Sequence, residues 1–171
     1  MLDDSSPMSF TAGSLGPSTT TPGVYPASGA FPAEGASPNR PRLQFTVPCL
    51  NVDDSKGPPS FNFVFYEMPF PEFPFQFPDG QGFYVANGWC NGKGDHVQRM
   101  KILDPSKQKV LVDTGDQPFS LKTSEEPFMA VNFISGMKFE APGTYWIRVL
   151  LDNQVAIEYP MPVRKVEKPK E

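Results

Sequence analysis

The sequence of 171 residues has one histidine and two cysteines, and no apolar run in it is long. His96 stands in a polar turn beside Asp95, and no serine or cysteine belongs to a recognisable nucleophile motif, so we expect a turn histidine and no enzyme. A membrane span needs about 18 or more apolar residues, and the acidic N-terminus does not match a signal peptide. These absences predict a cytoplasmic protein that is not a membrane protein and has no catalytic residues.

The sequence also lacks a basic cluster. Its net charge is −4 with a pI of about 5.0, and its Lys and Arg residues are scattered, which excludes a stripe for nucleic acid. Loop carboxylates at Asp53, Asp54, Asp113 and Asp116 could in principle meet calcium, but their spacing is not that of an EF-hand loop, and two cysteines with one histidine do not make a zinc site. We therefore expect no metal and no cofactor.

What the sequence has in quantity is proline, glycine and phenylalanine. The 21 Pro and 14 Gly residues disfavour long helices, while the 15 Phe residues suit pleated, half-buried surfaces. An all-β chain is predicted.

Composition divides the chain into three parts. Residues 1–40 are rich in Ser, Thr, Gly and Pro and should form a disordered arm, residues 41–165 a single β-sandwich domain, and residues 166–171 a charged C-terminal tail. Phe10, Tyr25 and Phe31 are single apolar residues in the arm, and they are candidate contacts with a neighbouring subunit. The alternative is a solvated tail.

Strand-like runs bounded by turn residues begin near Leu43. Seven to nine antiparallel strands are predicted, at 43–52, 61–67, 82–90, 96–103, 109–113, 119–122, 128–135, 144–151 and 155–163. Turns at 104–107 and 113–116 predict a meander in the middle of the chain.

The last two strands form a predicted hairpin around Asp152 and Asn153, which tolerate positive φ. Alternation places one set of side chains on the core face, namely Tyr145, Ile147, Val149 and Leu151. The other set, Trp146, Arg148 and Leu150, should face outward and is a candidate contact surface.

The run 128–135 is apolar on both faces, with Met129, Val131 and Phe133 on one side. Such a strand is either central in its sheet or covered on its outer side by something else.

The segment from Met68 to Pro78 alternates phenylalanine with proline or polar residues. Because proline lacks a ladder donor, we expect an extended segment at a sheet edge. Its four rings, Phe70, Phe73, Phe75 and Phe77, are a candidate interaction surface, and two alternatives stay open for them: an intramolecular plug or a contact with a partner.

Cys49 and Cys90 lie on different predicted strands. Reduced thiols are favoured in the absence of a secretion signal, and a disulfide between them stays open.

Four stretches carry a resemblance to a known family: 83–89, Pro118-Phe119, 134–139 and the hairpin 142–163. Residues from about Phe45 to Val163 resemble an uncharacterised family of small bacterial immunoglobulin-like proteins, a domain of unknown function. The resemblance implies an immunoglobulin-like antiparallel β-sandwich in which Tyr145 holds a tyrosine corner. It implies no catalytic residues.

From these observations we expect a non-enzymatic interaction module that acts through protein contacts, as a homo-oligomer or as a component of a larger assembly. The alternative is a carbohydrate-binding sandwich that stacks Trp89 or Trp146 on a glycan.

Overall fold

The computed structural model describes residues 39–55 and 57–167, and this part of the chain is all-β. Because it consists of strands and their connections, it offers no helix long and apolar enough to cross a membrane. The candidate arm contacts Phe10, Tyr25 and Phe31 lie outside the described residues. The strands are β1 (Arg42–Asp53), β2 (Ser60–Val64), β3 (Met68–Phe70), β4 (Phe75–Gln76), β5 (Gly82–Cys90), β6 (Gly94–Leu103), β7 (Val110–Asp113), β8 (Gln117–Leu121), β9 (Phe128–Ser135), β10 (Lys138–Phe139), β11 (Gly143–Leu151) and β12 (Gln154–Lys165).

Two larger sheets and one small sheet hold these strands. The four-stranded sheet has the order β2-β1-β5-β9 and is antiparallel throughout. The six-stranded sheet has the order β3-β12-β11-β6-β7, with β8 also paired to β6, while β4 and β10 form a separate pair. Only the β3–β12 pairing is parallel.

The predicted hairpin of β11 and β12 is confirmed. Asp152 and Asn153 have φ values of 49° and 62°, as a tight hairpin turn requires. The predicted core face of β11, Tyr145 to Leu151 at alternate positions, is buried at 3% exposure or less. Alternation along this strand therefore identified its core side correctly.

The predicted meander is wrong in one respect. β7 and β8 do not pair with each other; both pair with β6, β7 at Lys101–Leu103 and β8 at Gly94–Gln98. Thr114 lies at the break between them, where its hydroxyl accepts a hydrogen bond from the Met100 amide at 3.0 Å. The two short strands thus form one interrupted edge along β6.

One hydrophobic cluster joins the inner faces of the two larger sheets. It includes Phe83 and Trp89 of the four-stranded sheet and Met100 and Ile147 of the six-stranded sheet. Thr46 and Tyr159 add a hydroxyl–hydroxyl hydrogen bond of 3.0 Å between β1 and β12. Burial raises the pKa of Tyr159 to about 12, so its phenol stays protonated in this contact.

The folded part extends beyond residues 41–165 at both ends. Asn39 and Arg40, which we assigned to the arm, bond to Lys93 and to the Leu151 carbonyl, respectively. Val166, which we assigned to the tail, donates its amide to the Phe70 carbonyl at 3.0 Å. Backbone and side-chain contacts therefore reach slightly beyond 41–165.

Candidate functional site

The outer face of the four-stranded sheet is the most distinctive surface of the described residues. Strand register places its side chains in three rows that cross the sheet. The rows are Phe45–Gly88–Met129, Val47–Ala86–Val131 and Val64–Cys49–Tyr84–Phe133. We call these ten residues the outer face.

This outer face has no charged side chain. Val131 is 40% exposed and Phe133 is 45% exposed, and the rings of Phe133 and Tyr84 pack with their centroids 4.8 Å apart. Charged residues on the same side of β1, Arg42 and Asp53, stand at the strand ends. Val64, Val131 and Phe133 are exposed, whereas Cys49, Ala86 and Gly88 are buried between their neighbours. The accessible part of the outer face is apolar, as in surfaces that soluble proteins use for contact.

A glycine keeps this face flat at one of its rows. A Cβ at Gly88 would lie 2.2 Å from the ring of Phe45, its cross-strand partner on β1. The ring instead covers the bare backbone of β5, an arrangement known to compensate for a glycine in a sheet. The absence of a side chain at Gly88 therefore lets the Phe45 ring lie flat on this face of the sheet.

The outer face ends at β9, which is an edge strand. The alternative that β9 is central in its sheet is therefore wrong, since it pairs with β5 alone. Its eight residues include no proline, glycine or charged residue. The other alternative, that something covers the outer side of β9, stays a prediction.

The other sheet edges are protected in ways that β9 is not. β3 and β8 contain Pro69 and Pro118, β7 has four residues and ends at Asp113, and β2 is interrupted by Phe63 at a φ of 56°. Short length, proline and irregular backbone are the usual means by which proteins block pairing at an edge. β9 is longer than each of these edge strands and has none of these features.

A chain of buried amides fixes the inner side of β9. The Trp89 indole donates to Gln98 Oε1 at 2.6 Å, and Gln98 Nε2 donates to Gln117 Oε1 at 2.8 Å. Gln117 Nε2 donates to Asn132 Oδ1 at 2.9 Å, and Asn132 in turn donates to the Val85 carbonyl at 3.1 Å. The chain ties β9 to both larger sheets and so holds its outer side in place.

The contact surface that the sequence predicted on β11 has a different character. Lys107 Nζ lies 3.4 Å from the centroid of the Trp146 ring, and Arg148 pairs with Glu158 at 2.6 Å. Leu150 is half-buried on the same face. These side chains lie on the predicted outer side, but their charges are already paired within the chain.

The same charged face includes Asp113, whose pairing with Arg99 should make the stability of the fold depend on pH. Arg99 binds Asp113 through two contacts of 2.7 Å and lowers the pKa of that carboxyl from 3.8 to about 2. Since the folded-state pKa is the lower one, the pair stabilises the fold above pH 3.8 and loses this effect as the pH falls toward 2. We expect Asp113→Asn to lower the free energy of unfolding by about 1 kcal/mol at pH 7, after solvent screening. Urea titrations at pH 7 and near pH 2 check this, because the difference should vanish at the lower pH.

The rings of the phenylalanine strip pack against the core cluster. Phe70 is 7% exposed and stacks on Phe75 with centroids 3.7 Å apart, and it also contacts Phe139 at 5.1 Å. Phe73 and Phe77 pack against the same core cluster. This packing favours the intramolecular plug of the two alternatives; Phe70 is a core residue, Phe73, Phe75 and Phe77 are half-buried, and a contact of these rings with a partner stays a prediction. The expected edge position holds for β3, which pairs with β12 at the margin of the six-stranded sheet.

The two tryptophans differ in how accessible they are to a glycan. Trp89 is 1% exposed and packs in the core, so it cannot stack on a sugar ring. Trp146 is half-buried and has the Lys107 ammonium against its ring. Trp89 is therefore excluded as a stacking residue, and glycan stacking on Trp146 stays a prediction.

His96 has a structural partner. Its Nδ1 lies 2.9 Å from Asp152 Oδ2 and its Nε2 lies 3.2 Å from the Lys93 carbonyl, while the other Asp152 oxygen accepts the Val97 amide at 2.9 Å. The Nδ1 contact fastens the β11–β12 turn to the start of β6, and the Nε2 contact joins the ring to the turn that precedes β6.

Three of the loop carboxylates named above bind neighbouring side chains, and the two cysteines are not joined to each other. Asp53 bonds to Ser55, Asp113 and Asp116 pair with Arg99, and the described residues hold no cluster of three or more side chains that could bind a metal ion. Cys49 and Cys90 are both free. Cys49 pairs with Tyr84, six positions along β5 from Cys90, which is too far for a disulfide.

Sequence reasoning missed most of the outer face. Phe45, Val47 and Tyr84 sit in strands that were placed correctly, but nothing in their local pattern distinguishes an uncovered apolar side from a core side. The available signal was the two-sided apolar run of β9.

Within the described residues, the fold and this surface define an all-β protein whose four-stranded sheet has three uncharged rows on its outer face. Residues 44–164 match a family described as Family of unknown function (DUF6941), and the chain belongs to that family. No curated protein matches the chain.

Proposed function

We propose that the protein is a non-enzymatic interaction module that binds another protein subunit through the outer face of its four-stranded sheet. The observation that carries this proposal is the absence of charge from three rows of side chains that span the sheet. Cores of protein interfaces are depleted in charged residues and enriched in aromatic residues and methionine. The outer face has that composition.

The proposed mechanism is burial of aromatic anchors. Tyr84 and Phe133 already pack together, so they lose little side-chain freedom when a partner covers them. Large, pre-ordered aromatic residues near the centre of a patch are the usual sites of high binding energy. The exposed Val131 beside them extends the apolar contact to the sheet edge.

The proposal includes a fold type and a location. An immunoglobulin-like sandwich is supported by Tyr145, whose hydroxyl donates to the Ala141 carbonyl at 3.0 Å, as in a tyrosine corner. A reducing, cytoplasmic compartment is supported by the free thiols of Cys49 and Cys90. A bacterial source rests on the resemblance described above.

A charge placed on the outer face should release the chain from its assembly. Val47→Lys puts an ammonium in the middle row, where a dry interface would have to desolvate it at a cost of several kcal/mol. We expect the variant to lose its partner subunit, and therefore to elute at a smaller size than the wild type when extracts of the source cells are fractionated by gel filtration.

The matched control is Val155→Lys, the same change at a 55% exposed valine on β12. It should elute like the wild type, and thermal melts should show that both variants fold. If Val47→Lys and the wild type elute together as folded proteins, the outer face is not the contact.

A further inference from the structure

β9 offers a second kind of contact, made by its backbone instead of its outer side chains. One side of the strand is hydrogen-bonded to β5, and the opposite side has no strand partner among the described residues. From this edge we infer that two copies of the chain join by antiparallel pairing of β9 with β9. The pairing does not require the outer face to be occupied.

The choice of a second copy rests on the sequence of β9 itself. A two-fold interface brings the same strand against itself, so each residue must be compatible with a residue of its own strand. In Phe128–Ser135 no like charges can meet, because the strand has none, and no proline removes a ladder donor. Alternation along β9 is regular, with inner side chains at Ala130, Asn132 and Ile134 and outer ones between them.

The register follows from the requirement that both copies face the same way. In a continuous sheet, residues directly opposite each other lie on the same face, so outer residues must meet outer residues. Centring the two-fold axis on Val131 places Val131 opposite its own copy and Met129 opposite Phe133. This register makes two methionine–aromatic contacts, which are favourable, and its outer row is entirely apolar.

A shift by one residue in the position of the axis gives a poorer match. Centring it on Asn132 would set Ser135 against Met129, replacing the sulfur–aromatic contacts by a polar one. The register centred on Val131 also pairs nearly the whole length of the strand. It would join two four-stranded sheets into one sheet whose two outer faces are side by side.

Cysteine cross-linking tests both the pairing and its register. We would use full-length protein with Cys90→Ser, since Cys90 is half-buried whereas Cys49 is at 0% exposure. In this background, Val131→Cys should form a disulfide-linked dimer under mild oxidation, because directly opposite residues have Cα atoms within disulfide range. Ser135→Cys is the control, since its copy would lie about 26 Å away in this register.

Light scattering supplies the second measurement. The wild type should have twice the 18.9 kDa mass of one chain, Val131→Lys should be reduced to one chain by charge repulsion at the edge, and Val155→Lys should remain at two. A monomeric wild type at about 100 μM, a dimer that persists in Val131→Lys, or equal cross-linking at positions 131 and 135 would each overturn the inference. None of these results would decide whether the outer face binds a different protein, which the Val47→Lys comparison tests separately.

Discussion

Phe70→Ala is expected to lower the free energy of unfolding by about 3 to 5 kcal/mol, the usual cost of deleting a buried phenylalanine ring. Phe70 is 7% exposed and lies at the centre of a group of rings that includes Phe75 and Phe139. Its removal would leave a cavity lined by Phe73, Phe75, Phe77 and Phe139. Urea unfolding measures the loss directly.

The matched control is Phe63→Ala. Phe63 is 76% exposed on β2, and exposed substitutions usually change stability by about 0.5 kcal/mol or less. Folded Phe70→Ala should keep the wild-type mass by light scattering. If it unfolds like Phe63→Ala but loses assembly, the phenylalanine strip is a contact surface after all and its internal packing is of secondary importance.

Gln98→Leu is expected to lower the free energy of unfolding by about 2 to 3 kcal/mol although leucine has a similar volume. Gln98 is at 0% exposure and accepts from the Trp89 indole while donating to Gln117. Substitution would leave a buried donor without an acceptor and an acceptor without a donor, and each unsatisfied group costs about 1 to 3 kcal/mol. Chemical denaturation checks the size of the effect.

A double-mutant cycle separates the hydrogen bond from the packing. Trp89→Phe removes the indole donor, so combining it with Gln98→Leu should cost clearly less than the sum of the single changes. Gln44→Leu, an exposed position on β1, is the control for the substitution itself. Strict additivity would show that the amide chain does not stabilise the sheets cooperatively.

Local patterns predicted the strands well because the chemistry of a strand is local. The bounds of β5 and β9 agree with the structure at both ends, and the Asp152-Asn153 turn has the positive φ values that these residues tolerate. Alternation also gave the core side of β11. Each of these features depends on neighbours within a few residues.

Sheet order could not be predicted, because it depends on contacts between residues far apart in sequence. β9 reads as a strand with two apolar sides, and an edge position with an uncovered outer side is as consistent with that pattern as a central one. The phenylalanine strip presented the same ambiguity. The stacking of Phe75 on Phe70 shows that the strip folds onto itself, and the position of Phe139 beside Phe70 shows that it packs on the core.

The surface that the sequence predicts and the surface that we propose lie on different sheets, for a related reason. Trp146 and Arg148 look available when β11 is considered alone, but Lys107 and Glu158, which pair with them, come from a turn and from β12. The charged groups of that face are therefore paired with one another within the chain. The uncharged rows of the four-stranded sheet arise only when β1, β5 and β9 are set side by side.

The most direct test compares the outer faces of the two sheets in the same cells. A photo-crosslinking phenylalanine derivative would replace Tyr84 in one variant and Trp146 in another, both half-buried aromatic positions in central strands. The account predicts protein adducts from position 84 and none from position 146. Adducts from position 146 alone would contradict it and would return the contact surface to Trp146, Arg148 and Leu150.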